Sequence, residues 1–142
     1  MYVIQNFSSQ TMSKINSFDK LVWLIGLIQY KSLGYKTKLY CCPEDIVFLK
    51  ENLLYQYYDE IDTTTLTKCD WLNDINLKEF WFFRKIIAME NEFKLNNQFF
   101  YSDTDIIINT PLDLDKCDVY LWGKEDSSGS GVYLDWEKIS TP

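Results

Sequence analysis

The first 54 residues switch between strand-like and helix-like patterning, and that alternation limits the folds open to this chain more than any other feature. Residues 2–7 read as an opening strand, and the polar Ser8-Ser9-Gln10 leads away from it. Asn16-Ser17-Phe18-Asp19 supplies helix-start chemistry before an apolar segment that runs to Leu33, where Gly34 is a natural stop. Residues 35–42 form a second strand candidate, and Pro43-Glu44-Asp45 suits the first turn of a helix reaching about Leu54. Strands alternating with helices pack as a mostly parallel sheet flanked by helices, so the expected fold class is α/β and Rossmann-like.

The pattern continues less regularly. Residues 57–61 suggest a short strand and 62–76, rich in Thr, Asp and Asn, an irregular connection. A second long helix fits 77–93, where Phe80, Phe83, Ile87 and Glu90 recur at helical spacing. Asn96-Asn97-Gln98 then turns the chain into residues 99–108. Beyond Pro111, further strands are expected at 119–122 and 132–136, separated by a flexible turn at 127–131. No internal repeat is visible, and 142 residues suit a single domain spanning 1–142.

Composition narrows the function classes. A hydrophobic fraction of 46% with 17% aromatics supports a dense core. The net charge of -7 argues against nucleic acid as a partner. The apolar run at 21–28 is far shorter than the ~20 residues of a membrane span. Residues 1–6 lack the basic opening and long apolar stretch of a signal peptide, so a cytoplasmic location is expected. Cys41, Cys42, Cys69 and Cys117 match no paired metal spacing and read as reduced thiols. The chain has no histidine, which removes histidine bases, triads and metal sites together.

Chemistry therefore falls to carboxylates, hydroxyls and cations, and one segment concentrates them. In Phe99-Phe100-Tyr101-Ser102-Asp103-Thr104-Asp105-Ile106-Ile107-Ile108, two aspartates interrupt an apolar run. A buried carboxylate needs a partner, and in extended chain the side chains at i and i+2 leave one face. Asp103 and Asp105 would then converge as hard oxygen ligands for Mg²⁺ or Mn²⁺. Spacing alone says little, since Asp113 and Asp115 share it in a polar context that suits a solvated turn. Residues 103–105 would lie at the carboxyl rim of a parallel sheet, where ligands bind, and the loop from Asn6 would open there too.

Residues 100–112, with an aromatic strand entering Asp-x-Asp and apolar residues leading to Pro111-Leu112, resemble the DxD segment of GT-A-fold glycosyltransferases. The order of elements resembles the nucleotide-binding half of that fold. Phe82-Phe83-Arg84-Lys85 is similar to a basic-residue helix that precedes the motif in related families, and Gly129-Ser130-Gly131-Val132 to a later Asn-Ser-Gly-Val strand, with Gly129 in place of Asn. The resemblance implies a nucleotide-sugar donor, a UDP- or GDP-sugar, with Asp103 on ribose or metal and Asp105 on Mn²⁺ or Mg²⁺. It implies donor contacts from Asn6, Phe7, Ser8, Ser130 and Gly131. Arg84 or Lys85 would add a cation for the phosphates. These two sit ~100° apart on a helix, and the expectation is that Arg84 faces the site and Lys85 solvent. Related enzymes continue with an acceptor-binding portion, so the resemblance covers the donor side. A late metal ligand would fall to Asp135, Glu137 or water.

Three readings stay open on sequence grounds. The first is a metal-dependent glycosyltransferase or its donor-binding domain, with the acceptor unidentified. The second is a non-catalytic remnant that binds a nucleotide, a sugar or another protein, including a second copy in a homo-oligomer. The third, a nucleotidyltransferase, lacks a Gly-rich phosphate loop after the first strand.

Overall fold

The computed structural model describes residues 1–8, 15–68, 82–95 and 97–111, all within one compact unit, Met1–Pro111. Four strands, Tyr2–Asn6 (β1), Lys36–Tyr40 (β2), Glu60–Asp62 (β3) and Phe99–Tyr101 (β4), form a sheet in the order β3-β2-β1-β4. Every pairing is parallel, with Tyr2 opposite both Lys36 and Phe99, and Lys38 opposite Glu60. The helices are Ser17–Ser32 (α1), Asp45–Glu51 (α2) and Phe83–Lys94 (α3). The α/β class and the parallel sheet are as the alternation requires. The strands expected at 119–122 and 132–136 lie outside the described residues.

Local chemistry sets the boundaries. Asn16 caps α1 by accepting from the Asp19 amide at 2.9 Å, while Asp19 accepts in return from the Asn16 amide at 3.4 Å. Gly34, at φ +82°, supplies the left-handed residue that ends the helix. α2 stops at Glu51 rather than near Leu54, because Leu53 turns left-handed at φ 58°. A 3-10 turn over Tyr55–Tyr57 follows, so the next strand begins at Glu60 rather than residue 57. The start expected for the long helix at residue 77 lies outside the described residues. Its buried face is Arg84, Ile87, Ala88 and Glu92, whereas Glu90 is exposed and pairs with Lys94 at 2.7 Å.

Successive β1 side chains divide between the two faces of the sheet. Gln5 meets α1 through Trp23, while Ile4 packs with Tyr40, Leu66, Ile87 and Ala88 beneath α3. Cys41 and Cys42 are free thiols, and burial pushes the Cys41 thiol up to about 12. No helix among the described residues is long and apolar enough to cross a membrane.

Candidate functional site

All four strands run the same way, so their carboxyl ends share one rim. The chain winds from β1 through β2 to β3, then returns to place β4 on the other side of β1. That reversal lies between β1 and β4, where an open parallel sheet leaves a crevice for ligands. Asn6-Phe7-Ser8 and Ser102-Asp103-Thr104-Asp105 are the two segments that leave those strands at the rim.

The aspartates are held there differently from the extended geometry expected of them. β4 ends at Tyr101, and Thr104 and Asp105 lie in a turn that the Ile106 amide closes onto the Asp103 carbonyl at 3.3 Å. Asp103 and Asp105 are both exposed, so burial does not demand a cation, and of the three isoleucines only Ile108 is buried. The strand stops because buried polar side chains capture the backbone. Gln5 Nε2 donates to the Asp103 carbonyl at 3.1 Å, and Ser102 Oγ donates to it at 3.0 Å. The Tyr30 hydroxyl lies 2.7 Å from Ser102 Oγ and donates at 2.7 Å to the Ile106 carbonyl. Burial pushes that hydroxyl's pKa up, helped by the Asp105 and Asp103 charges and partly offset by Ser102. Gln5 is fixed in turn by Tyr58 at 2.6 Å and Trp23 at 3.2 Å. Gly26 completes the clamp, since a Cβ there would come within 2.8 Å of the Ile106 carbonyl oxygen.

With the backbone pinned from below, the side chains face outward. Lys85 Nζ reaches Asp103 Oδ1 at 2.5 Å and lies 5.4 Å from the Tyr101 ring centroid. Tyr101 donates to Asn6 Oδ1, and its pKa is raised, first by burial and then by the Asp103 charge. Asn6, Lys85, Tyr101 and Asp103 thus form one cluster across β1, α3 and β4. Phe7 lies in the core between Trp23 and Phe48, at 5.1 and 5.0 Å between ring centroids, and Ser8 is buried. Ser130, Gly131 and Asp135 lie outside the described residues.

Lys85, expected to face solvent, meets Asp103 instead. Lys85 touches the aspartate, while Arg84 is only 5% exposed and turns toward the end of β2. Its Nη1 makes a 3.8 Å contact with Cys42 Sγ, and its Nε has no hydrogen-bond partner. No carboxylate among the described residues pairs with it. A buried cation without an anion at ion-pair distance is costly. Cys42 feels both influences: burial raises its thiol pKa and the guanidinium partly offsets that rise.

Two other buried charges, Lys38 and Glu92, balance each other. Glu92, fully buried, receives Lys38 Nζ at 2.7 Å, the Tyr40 hydroxyl, and Asn97 Nδ2 at 2.6 Å. Burial raises the Glu92 carboxyl, but these donors outweigh it and hold the group below its ordinary range. A recess of about 380 Å³ lies beside β3, lined by Lys38, Glu60, Ile61, Asp62, Thr63 and Thr64. Its carboxylates are already engaged, Asp62 with Thr64 and Thr65, Glu60 with Tyr2 and Lys38.

No group of three or more acidic or thiol side chains gathers among the described residues. Asp103 and Asp105 therefore offer at most two protein ligands. That donor set suits Mg²⁺ or Mn²⁺ completed by water and phosphate oxygens, and Lys85 already places a cation against Asp103.

Fold and rim together define the class, an α/β protein with a parallel sheet and a polar cluster at its topological switch point. Comparison of the chain with known protein families, with curated proteins and with solved structures found no match in any of the three.

Proposed function

We propose that this chain binds a nucleoside-diphosphate sugar at the β1–β4 rim and acts as a metal-dependent glycosyltransferase or its donor-binding domain. One observation carries the reading: Arg84 is a buried guanidinium that no carboxylate among the described residues pairs with, and the next residue, Lys85, touches an exposed aspartate pinned at the switch point. A diphosphate is the anion that suits both features, since it satisfies a guanidinium and shares a divalent cation with carboxylates. Asp103 and Asp105 would hold Mn²⁺ or Mg²⁺, which supplies charge neutralisation on the departing nucleoside diphosphate. Arg84 neutralises phosphate charge from the protein side, Lys85 orients Asp103, and Asn6 with Tyr101 shapes the wall beside them. The GT-A resemblance of residues 100–112 gives the sugar-transfer step its place in this reading.

Calorimetric titration of UDP and GDP with and without Mn²⁺ tests it. Metal-dependent binding that disappears in Asp105→Ala is expected; binding that ignores both metal and substitution refutes it. A non-catalytic remnant with a protein partner is the second reading, favoured by an exposed apolar row on α1. Retained diphosphate binding with no transfer or hydrolysis of any donor sugar selects that alternative.

A further inference from the structure

The buried guanidinium of Arg84 points at a sulfur rather than an oxygen. Its Nη1 lies 3.8 Å from Cys42 Sγ, its Nε has no hydrogen-bond partner, and only 5% of the residue is exposed. A thiol sulfur is a weak acceptor, so this contact satisfies little of a group built wholly of donors. The buried Asp45 carboxylate turns its Oδ2 to the Cys42 amide at 2.9 Å.

Cys42 is placed to supply the missing charge itself. It is a free, half-buried thiol against the cluster of Ile4, Tyr40, Leu66, Ile87 and Ala88, open to a small reagent and closed to a bulky one. The adjacent Cys41 is fully buried and its thiol is pushed up to about 12, so it is neither a competing target nor a thiolate ready to form a disulfide. Burial raises the Cys42 thiol too, but the Arg84 charge acts against that rise. An oxygen bonded to Sγ at an ordinary bent angle sits within hydrogen-bond reach of a nitrogen 3.8 Å from the sulfur, which turns a weak contact into a charge-assisted one.

We propose that Cys42 is a site of oxidation by a peroxide, and that its sulfinate is an anion the Arg84 guanidinium receives. In the first step the Cys42 thiolate attacks one peroxide oxygen: an S–O bond forms, the O–O bond breaks, and the other oxygen leaves as hydroxide, giving the sulfenic acid. A second peroxide adds another oxygen in the same way, and the sulfinic acid releases its proton to solvent. Each step oxidises the sulfur by two electrons and reduces one peroxide to water. The new charge stands where Nη1 is already in place. Because Arg84 is also the residue proposed to hold the donor diphosphate, oxidation withdraws it from that ligand. This consequence rests on the donor-site reading; the modification does not.

Treatment of the full chain with hydrogen peroxide, followed by peptide mass spectrometry, tests the chemistry. Two added oxygens are expected on Cys42, with Cys41 left as the thiol. Cys42→Asp sets a carboxylate where the sulfinate would stand and tests the pairing without an oxidant. Its urea midpoint should match or exceed that of the native chain, whereas the same substitution added to Arg84→Met should lower the midpoint. A Cys42 that stays reduced or becomes a disulfide, or equal shifts from Cys42→Asp in both backgrounds, overturns the proposal. The oxidised chain should also bind UDP in Mn²⁺ more weakly by roughly tenfold or more, while Cys42→Ser treated alike keeps its affinity. Undiminished binding by a chain oxidised at Cys42 overturns the withdrawal of Arg84. A reduced chain that binds no UDP overturns the donor reading instead, and the first two measurements still decide the modification.

Discussion

Helix α3 buries two charged residues eight positions apart and treats them in opposite ways. Glu92, near its C-terminus, is surrounded by donors from β2 and from the turn before β4. Among the described residues Arg84, near its N-terminus, makes one weak hydrogen bond, to a thiol. The Glu92 network closes on itself, so nothing is left for a ligand to satisfy. The Arg84 end is incomplete and lies against Cys42, just beyond the end of β2. Balance separates the two ends: buried charge with full compensation specifies the packing of α3 on the sheet, and on the proposed reading the Arg84 end is the one that takes an anion.

Breaking the balanced end should cost the most. Lys38→Met leaves the Glu92 carboxylate buried without its cation, and urea unfolding should show a loss of ~3–5 kcal/mol. A loss below ~1 kcal/mol would mean that Glu92 is rescued by Tyr40 and Asn97 alone.

The same network predicts a pH profile with two limbs. Glu92 lies below its ordinary carboxyl range because Lys38, Tyr40 and Asn97 outweigh the burial that raises it, and hydrogen bonds likewise outweigh burial at Asp59 and Asp62. Stability from lowered carboxyls is present above the ordinary carboxylate range, near pH ~4, and is lost as pH falls through the folded values. Tyr40 is pushed up to about 12, first by burial and then by its bond to Glu92. Lys38 is also raised, because Glu92 and Tyr40 outweigh burial. Their contribution is intact below the ordinary tyrosine and lysine values of ~10 and is lost as pH rises through the folded values. Urea midpoints measured across pH should fall on both sides, and Glu92→Gln should shrink the acid limb.

A smaller effect is expected where the clamp holds the aspartate turn. Gly26→Ala gains ~1 kcal/mol in helix propensity but drives a Cβ to 2.8 Å from the Ile106 carbonyl, an overpacking cost of ~1–3 kcal/mol. The net loss should be ~0–2 kcal/mol, with faster amide exchange at 103–106. A variant that gains stability with unchanged exchange would show that Gly26 does not position the turn.

Much of the sheet was legible because its signals are local. Asn16 with Asp19, the apolar run and Gly34 fix α1 within a few residues, and the alternation of elements fixes the parallel sheet. The aspartate pair was legible as a charged interruption of an apolar segment at the sheet's rim but not in its geometry. Residues 99–108 read as continuous buried strand, whereas Gln5, Tyr30 and Ser102 halt the strand after Tyr101 through contacts that span much of the chain. A trace of this was available: Gln5 is a polar residue inside an apolar strand, the same anomaly that singled out Asp103. The placements of Arg84 and Lys85 were not legible, because helical periodicity gives their angular separation without fixing which one meets the sheet. Lys38 and Glu92 were missed for a related reason, since an ion pair between a strand and a distant helix leaves no local pattern.

Arg84→Met tests the contrast between the two ends of α3 most directly, with urea unfolding and calorimetric titration of a nucleoside diphosphate in Mn²⁺ on the same protein. If Arg84 is held buried for an anionic ligand, stability is unchanged or raised by ~1 kcal/mol and diphosphate binding is lost. A loss of several kcal/mol in stability together with undiminished binding would contradict the account and make Arg84 part of the scaffold.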